Sequence, residues 1–129
     1  MSTLTDARHE LVALLRADGI ETYPYLPETL SPPCVVIYPS EPYGTPGTLG
    51  PGERFRMTVN YTLACVVPAL DNEAGLDACE ALIEDVITAL PPAITVLRFS
   101  RPGLDDTGAQ GSVYVAEVDI AVSIESTTP

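Results

Sequence analysis

Few residues in this chain of 129 are of a type that does covalent chemistry. The one histidine, His9, stands between Arg8 and Glu10. A general base needs a nucleophile in reach and an acid to orient it, and no spacing around His9 supplies either, so a solvated surface histidine is expected. Cys34, Cys65 and Cys79 cannot all pair, form no C-x-x-C, and each sits in an apolar run with no histidine near it in sequence. They are expected to be buried free thiols acting as small hydrophobes. There is no lysine, hence no phosphate-cradling loop of the glycine–lysine kind, and the glycines of residues 39–52 alternate with prolines that lack the N–H groups of an anion nest.

The carboxylates are more numerous than organised. Asp71-Asn72-Glu73 with Asp77 faintly resembles a calcium loop, but the register of oxygens and the closing glutamate are wrong. Asp105-Asp106 lies in a turn-rich stretch, where aspartates bond their own backbone. No catalytic residue, metal ligand set or cofactor is expected. What does repeat is an acidic stripe: Glu73, Asp77, Glu80 and Glu84 fall at intervals of four, three and four, within about 60° of one helix face. With Asp71 and Asp85 the stretch 71–85 holds six acids and no base, and the whole chain carries a net charge of −12 with all six cations arginine. Such a surface repels phosphate backbones and anionic headgroups, which argues against nucleic-acid binding and membrane attachment. The stripe is either a solvated face, a surface toward something that must not adhere, or the counterpart of an arginine-bearing partner.

The elements that position these residues follow from periodicity. Leu4, Ala7, Leu11, Leu14 and Leu15 predict a first helix with Thr3 as its cap, Gly19 as its stop, and Arg8, Glu10 and Arg16 on the wet side. Residues 20–33 hold four prolines and read as a short extended piece and a rigid connector. Cys34-Val35-Val36-Ile37-Tyr38 suits a strand covered on both faces. Four prolines and four glycines in residues 39–52 predict a long loop without regular structure, of the kind that is usually functional.

From Arg56 the alternation is clean: Met57, Val59, Tyr61, Leu63, Cys65 and Val67 share one face, and Pro68 ends the strand. A second helix is expected from Asn72 to Leu90, capped by Asp71 and stopped by Pro91-Pro92, with Leu76, Cys79, Leu82, Ile83, Val86 and Leu90 inward. A strand over 94–99, a loop over 100–111 and a last strand over 112–125 complete the order α-(β)-β-β-α-β-β. In that last strand Tyr114, Ala116, Val118, Ile120, Val122 and Ile124 share the dry face. The expected fold is a single α+β domain over 1–129. It would have an antiparallel or mixed sheet of four to five strands and two helices on one face.

That organisation resembles the tail terminator (tail completion) proteins of long-tailed bacteriophages, especially those of actinobacteria. The resemblance runs from the first helix through Gly19-Ile20-Glu21-Thr22-Tyr23-Pro24 and Tyr25-Leu26-Pro27 into Pro32-Pro33-Cys34-Val35-Val36-Ile37-Tyr38. It continues through the Gly/Pro stretch, the alternating strand, the acidic helix with Leu82-Ile83 and the closing strands, so it covers nearly the whole chain.

The resemblance implies a structural virion protein of the tail neck, made in the host cytoplasm. It would form a homo-oligomeric ring, usually a hexamer, that caps the tail tube and stops its polymerisation. Its partners would be further copies of itself, the tail tube protein and a head-completion or connector protein. Genomic DNA would pass through without being bound, past a lining to which the stripe Glu73, Asp77, Glu80 and Glu84 could contribute. The stretches 39–53 and 101–111 are then expected to reach neighbours or the tube, with Tyr43, Leu49, Arg54, Arg101, Asp105 and Asp106 as candidate interface residues. The alternatives are a head–tail adaptor of the same neck, or a small acidic enzyme or ligand-binding module.

Overall fold

The computed structural model describes residues 3–27, 32–50, 54–68, 72–106 and 112–127. Two helices and six strands follow in the order α1 (Thr3–Ala17), β1 (Thr22–Tyr23), β2 (Cys34–Gly50), β3 (Arg54–Pro68), α2 (Asn72–Ala89), β4 (Thr95–Phe99), β5 (Gly103–Asp106) and β6 (Ser112–Thr127). They build an α+β fold on one mixed sheet, ordered β1-β2-β3-β6-β4, with β5 also on β6. Among the described residues only the β1–β2 pairing is parallel. Residues of both helices join one core cluster with Val35, Ile37, Val59, Leu63 and Ile120, so both helices lie on the same face of the sheet.

Helix α1 opens at Thr3 itself and ends as its sequence requires. Gly19 takes φ +80, Ile20 N–H donates to Leu15 O (3.1 Å) and Gly19 N–H to Arg16 O (3.0 Å). This is a Schellman closure, and buried Ile20 shares the core with Leu15 as that motif favours. The Arg16 side chain then donates Nε and Nη2 to Thr22 O (3.1 and 2.8 Å), pinning β1 beside the helix end. Arg8 departs from the expected wet side: it is half-buried, and its Nε is enclosed without a hydrogen-bond partner. It lies on the i+4 row from Leu4 to buried Val12, which the packing of α1 turns inward.

The stretch 39–50 corrects the expectation of a loop: β2 runs through it to Gly50, paired with β3. The reason is edge position. Val35 N–H donates away from β3, to Glu21 O (2.8 Å), so Val35, Ile37 and Pro39 all direct their backbone N position outward. Beyond the bulge, Gly44 and Pro46 stand opposite Val59 and Met57, which continue the same alternating set of β3 residues as Cys65, Leu63 and Tyr61. Pro39 and Pro46 therefore cost the ladder no hydrogen bond, since their missing donors face the free edge. Two irregularities absorb the rest: residues 40–43 stand opposite Asn60 alone, and 47–48 opposite Arg56 alone.

The 100–111 loop is corrected in part as well. Gly103–Asp106 form β5 against Ser112–Val115 of β6, leaving 107–111 outside the described residues. Strands β4 and β5 are one interrupted edge, stitched at the break by Ser100 N–H to Glu117 O (2.8 Å) and Glu117 N–H to Ser100 Oγ (2.9 Å).

Candidate interaction surfaces

Strand β3 has 15 residues, β2 17 and β6 16, which at the usual rise is about 50 Å of strand each. Helices of 15 and 18 residues reach only about 22 and 27 Å. Among the side chains described, the core under the helices runs from Val67 to Val59 and on to Ile124, with Met57 packed against it. Past that point β2, β3 and β6 continue as a three-stranded arm, to the rung Gly50–Arg54–Thr127.

The candidate interface residues divide between the two ends of this sheet. Leu49 stands on the arm opposite Phe55, and Arg54 at its last rung; their side chains lie outside the described residues. Tyr43 belongs to the bulge at the arm's base. It is half-buried, packs on the core, and meets Tyr61 edge-on with ring centroids 6.0 Å apart at 73°. Tyr61 in turn donates its hydroxyl to Leu4 O (3.4 Å), and burial together with Tyr43 pushes its pKa up. Arg101 is exposed at the break between β4 and β5. Asp105 and Asp106 stand opposite Val113 and Ser112 at the far end of β6, their side chains outside the described residues. The two groups are thus separated by most of the length of β6 and cannot form one patch on one copy. On α2, Asp77, Glu80 and Glu84 are exposed, while the Asp71 position and the Glu73 side chain fall outside the described residues.

Pairing register assembles a group that spacing along the chain does not reveal. On the helix-free face, Thr62 stands beside Tyr38 on one side and Asp119 on the other, and Asp119 beside Arg98. Thr62 Oγ1 donates to Asp119 Oδ1 (2.8 Å) and Arg98 Nε to Asp119 Oδ2 (2.6 Å). With the Thr62 proton so engaged, Ser40 Oγ must donate across the 2.5 Å to Thr62 Oγ1. The result is a polar ladder across β2, β3, β6 and β4. Burial alone would raise the Asp119 carboxyl, but the hydrogen bonds from Arg98 and Thr62 and the Arg98 charge outweigh it and hold the group below the usual carboxylate range. Asp119 likewise raises the Arg98 guanidinium. A chain of two hydroxyls ending on a carboxylate has the form of a nucleophile relay. A carboxylate made this weakly basic is nonetheless a poor proton acceptor, so the ladder is suited to tying strands together.

The other chemical candidates stay apart. His9 is exposed on α1, and Cys34, Cys65 and Cys79 are buried and not joined in disulfides, with burial pushing the Cys65 thiol up to about 12 and raising that of Cys79. Among the described residues no cluster of three or more histidines, cysteines or carboxylates could hold a metal ion, and no helix is long and apolar enough to cross a membrane. A groove of about 430 Å³ lies between α1, Pro91–Ile94 and β6, floored by Leu11, Leu14 and Ile124 and rimmed by Asp6, Glu10 and Ser123. No protein-family model matches this sequence, and no curated protein matches it either.

Proposed function

We propose that the chain is a structural subunit of a phage tail neck, a tail-terminator-like protein whose copies form a ring on the head-proximal end of the tail tube. The observation that carries the reading is the three-stranded arm. Strands about twice as long as the helices that pack on them stay paired to their far rung, a feature that a self-contained catalytic domain does not need and a ring subunit uses to reach a neighbour or the tube. The resemblance in organisation, which extends over nearly the whole chain, supports it. So does the exposed acidic run Asp77, Glu80 and Glu84, a face that would let DNA pass without adhering. The alternative roles as head–tail adaptor or small enzyme lack a comparable observation. Purified protein added to polymerising tail tube protein tests the proposal: tubes should stop growing and carry a ring at one end, whereas tubes of unchanged length with bare ends would count against it.

A further inference from the structure

The helix-free face of the sheet carries a groove that the polar ladder only partly fills. Two open depressions of about 340 and 560 Å³ share Ser40, Glu41, Thr62 and Glu117, so they form one channel across the strands, from Leu97 on β4 to Tyr38 on β2. A pairing irregularity raises a bank at each end. Residues 40–43 bulge from β2 and are held there by Asn60 Nδ2 donating to Pro42 O (3.1 Å) and by the Ser40–Thr62 hydrogen bond. Leu97 is the extra residue between Val96 and Arg98, and it stands 55% exposed beside the channel.

The floor is lowest where register puts a small residue. Ala64 lies on the rung Val36–Ala64–Glu117, beside the rung Tyr38–Thr62–Asp119. Tyr38 and Glu117 thus stand on strands about 10 Å apart with only a methyl group between them. Their proximity shows in the Tyr38 hydroxyl, whose pKa burial and the Glu117 charge both raise. Among the described residues the channel is lined by three carboxylates (Glu41, Glu117 and Asp119) and one cation, Arg98. Asp119 already holds Arg98 at 2.6 Å, whereas no ion pair or side-chain hydrogen bond among the described residues engages the carboxylates of Glu41 and Glu117. Ser40 Oγ, which donates to Thr62, is left free to accept. A tyrosine ring, two uncompensated carboxylates and an accepting hydroxyl around an alanine floor are the complement of a guanidinium, whose plane stacks on the ring while its edge N–H groups meet the oxygens. Lysine would match the charge but lacks the plane.

We infer that this channel recognises an arginine-bearing segment of a partner polypeptide, its guanidinium seated over Ala64 between Tyr38, Glu41 and Glu117 and an apolar residue resting on Leu97. Two strand spacings separate Ala64 on β3 from Leu97 on β4, so the apolar residue lies about three positions from the arginine in an extended segment. The site does not rest on the function proposed above.

The test titrates the peptide acetyl-Leu-Ser-Ser-Arg-Ser-Ser-Leu-amide, with a leucine three positions to either side of its arginine, into the whole isotope-labelled chain. Saturable NMR shifts should centre on Tyr38, Ala64 and Glu117. The same peptide with citrulline, the neutral isostere, in place of arginine should bind about fivefold more weakly, and the lysine peptide should also bind more weakly than the arginine one. Glu117→Gln, a change at an exposed side chain, should leave the circular dichroism and melting temperature unchanged and weaken the arginine peptide by about threefold. No shift at millimolar peptide, or shifts centred on the acids of α1 or α2, would overturn the inference. So would equal binding of the citrulline or lysine peptide, or indifference to Glu117→Gln. None of these results touches the tail-neck reading, which tail morphology decides separately.

Discussion

Replacing Thr62 with valine keeps shape and burial while removing the hydroxyl at the centre of the four-strand polar ladder. Two bonds go at once: the donation to Asp119 Oδ1 (2.8 Å) and the acceptance from Ser40 (2.5 Å). A hydrogen bond to an ionised group contributes about 1.5–3 kcal/mol and a neutral one about 1 kcal/mol. Both sites retain some solvent access, so water recovers part of this, and valine gains a few tenths of a kcal/mol in strand preference. The net expectation is a loss of about 1–2 kcal/mol, read as a shift in urea midpoint at neutral pH. The same reasoning fixes the pH dependence. Because the Asp119 carboxyl is held low in the folded state, its contribution is complete above the ordinary carboxylate value of about 4 and is lost as pH falls through the lower, folded value. The gap between wild type and Thr62→Val should therefore be constant from neutral pH down to about 4 and shrink in stronger acid. In an Asp119→Asn background the valine should cost about 1 kcal/mol less. A neutral-pH gap of only a few tenths of a kcal/mol, or a gap unchanged in acid, would refute the reasoning.

The cysteines and the end of α1 give two further expectations. All three thiols are fully buried and the Cys65 thiol is pushed up to about 12, so a thiol reagent at about pH 8 should modify none in the native protein and all three once urea unfolds it; rapid labelling of any of them without denaturant would contradict this packing. At Gly19 an added Cβ meets nothing within 4 Å, so Gly19→Ala is penalised only by its left-handed backbone, about 1 kcal/mol or some 4 °C in melting temperature, and Gly19→Asn by less. Equal melting of the alanine and asparagine variants would place the cost elsewhere.

Side-chain periodicity was the most legible part of the sequence. The alternations in 57–67 and 114–124 survive as the core faces of β3 and β6, and the apolar positions of α2 become buried Cys79, Leu82, Ile83, Val86 and Leu90. Leu76 alone stays exposed, at 39%. The arm was illegible because composition speaks for a residue's own preference and says nothing of its place in the sheet. Pro39 and Pro46 break a central strand but are harmless where their N positions face an open edge. Residues 103–106 were lost for a related reason, since so short a strand is defined by its partner in β6 and not by its own alternation. Arg8 misled through its charge, although its spacing from Leu4 and Val12 carried the correct signal. The polar ladder could not be found from spacing at all. Ser40, Thr62, Asp119 and Arg98 are separated by about twenty residues or more and meet only once four strands take their register.

The central claim is that this protein ends the growth of a tail tube, and electron microscopy of a lysate in which its gene carries an early stop codon tests it most directly. The account predicts headless tubes grown far past normal length beside filled, tailless heads. Tails of normal length lying detached from filled heads would contradict it and make the chain a joining protein, and intact particles would remove it from the neck altogether.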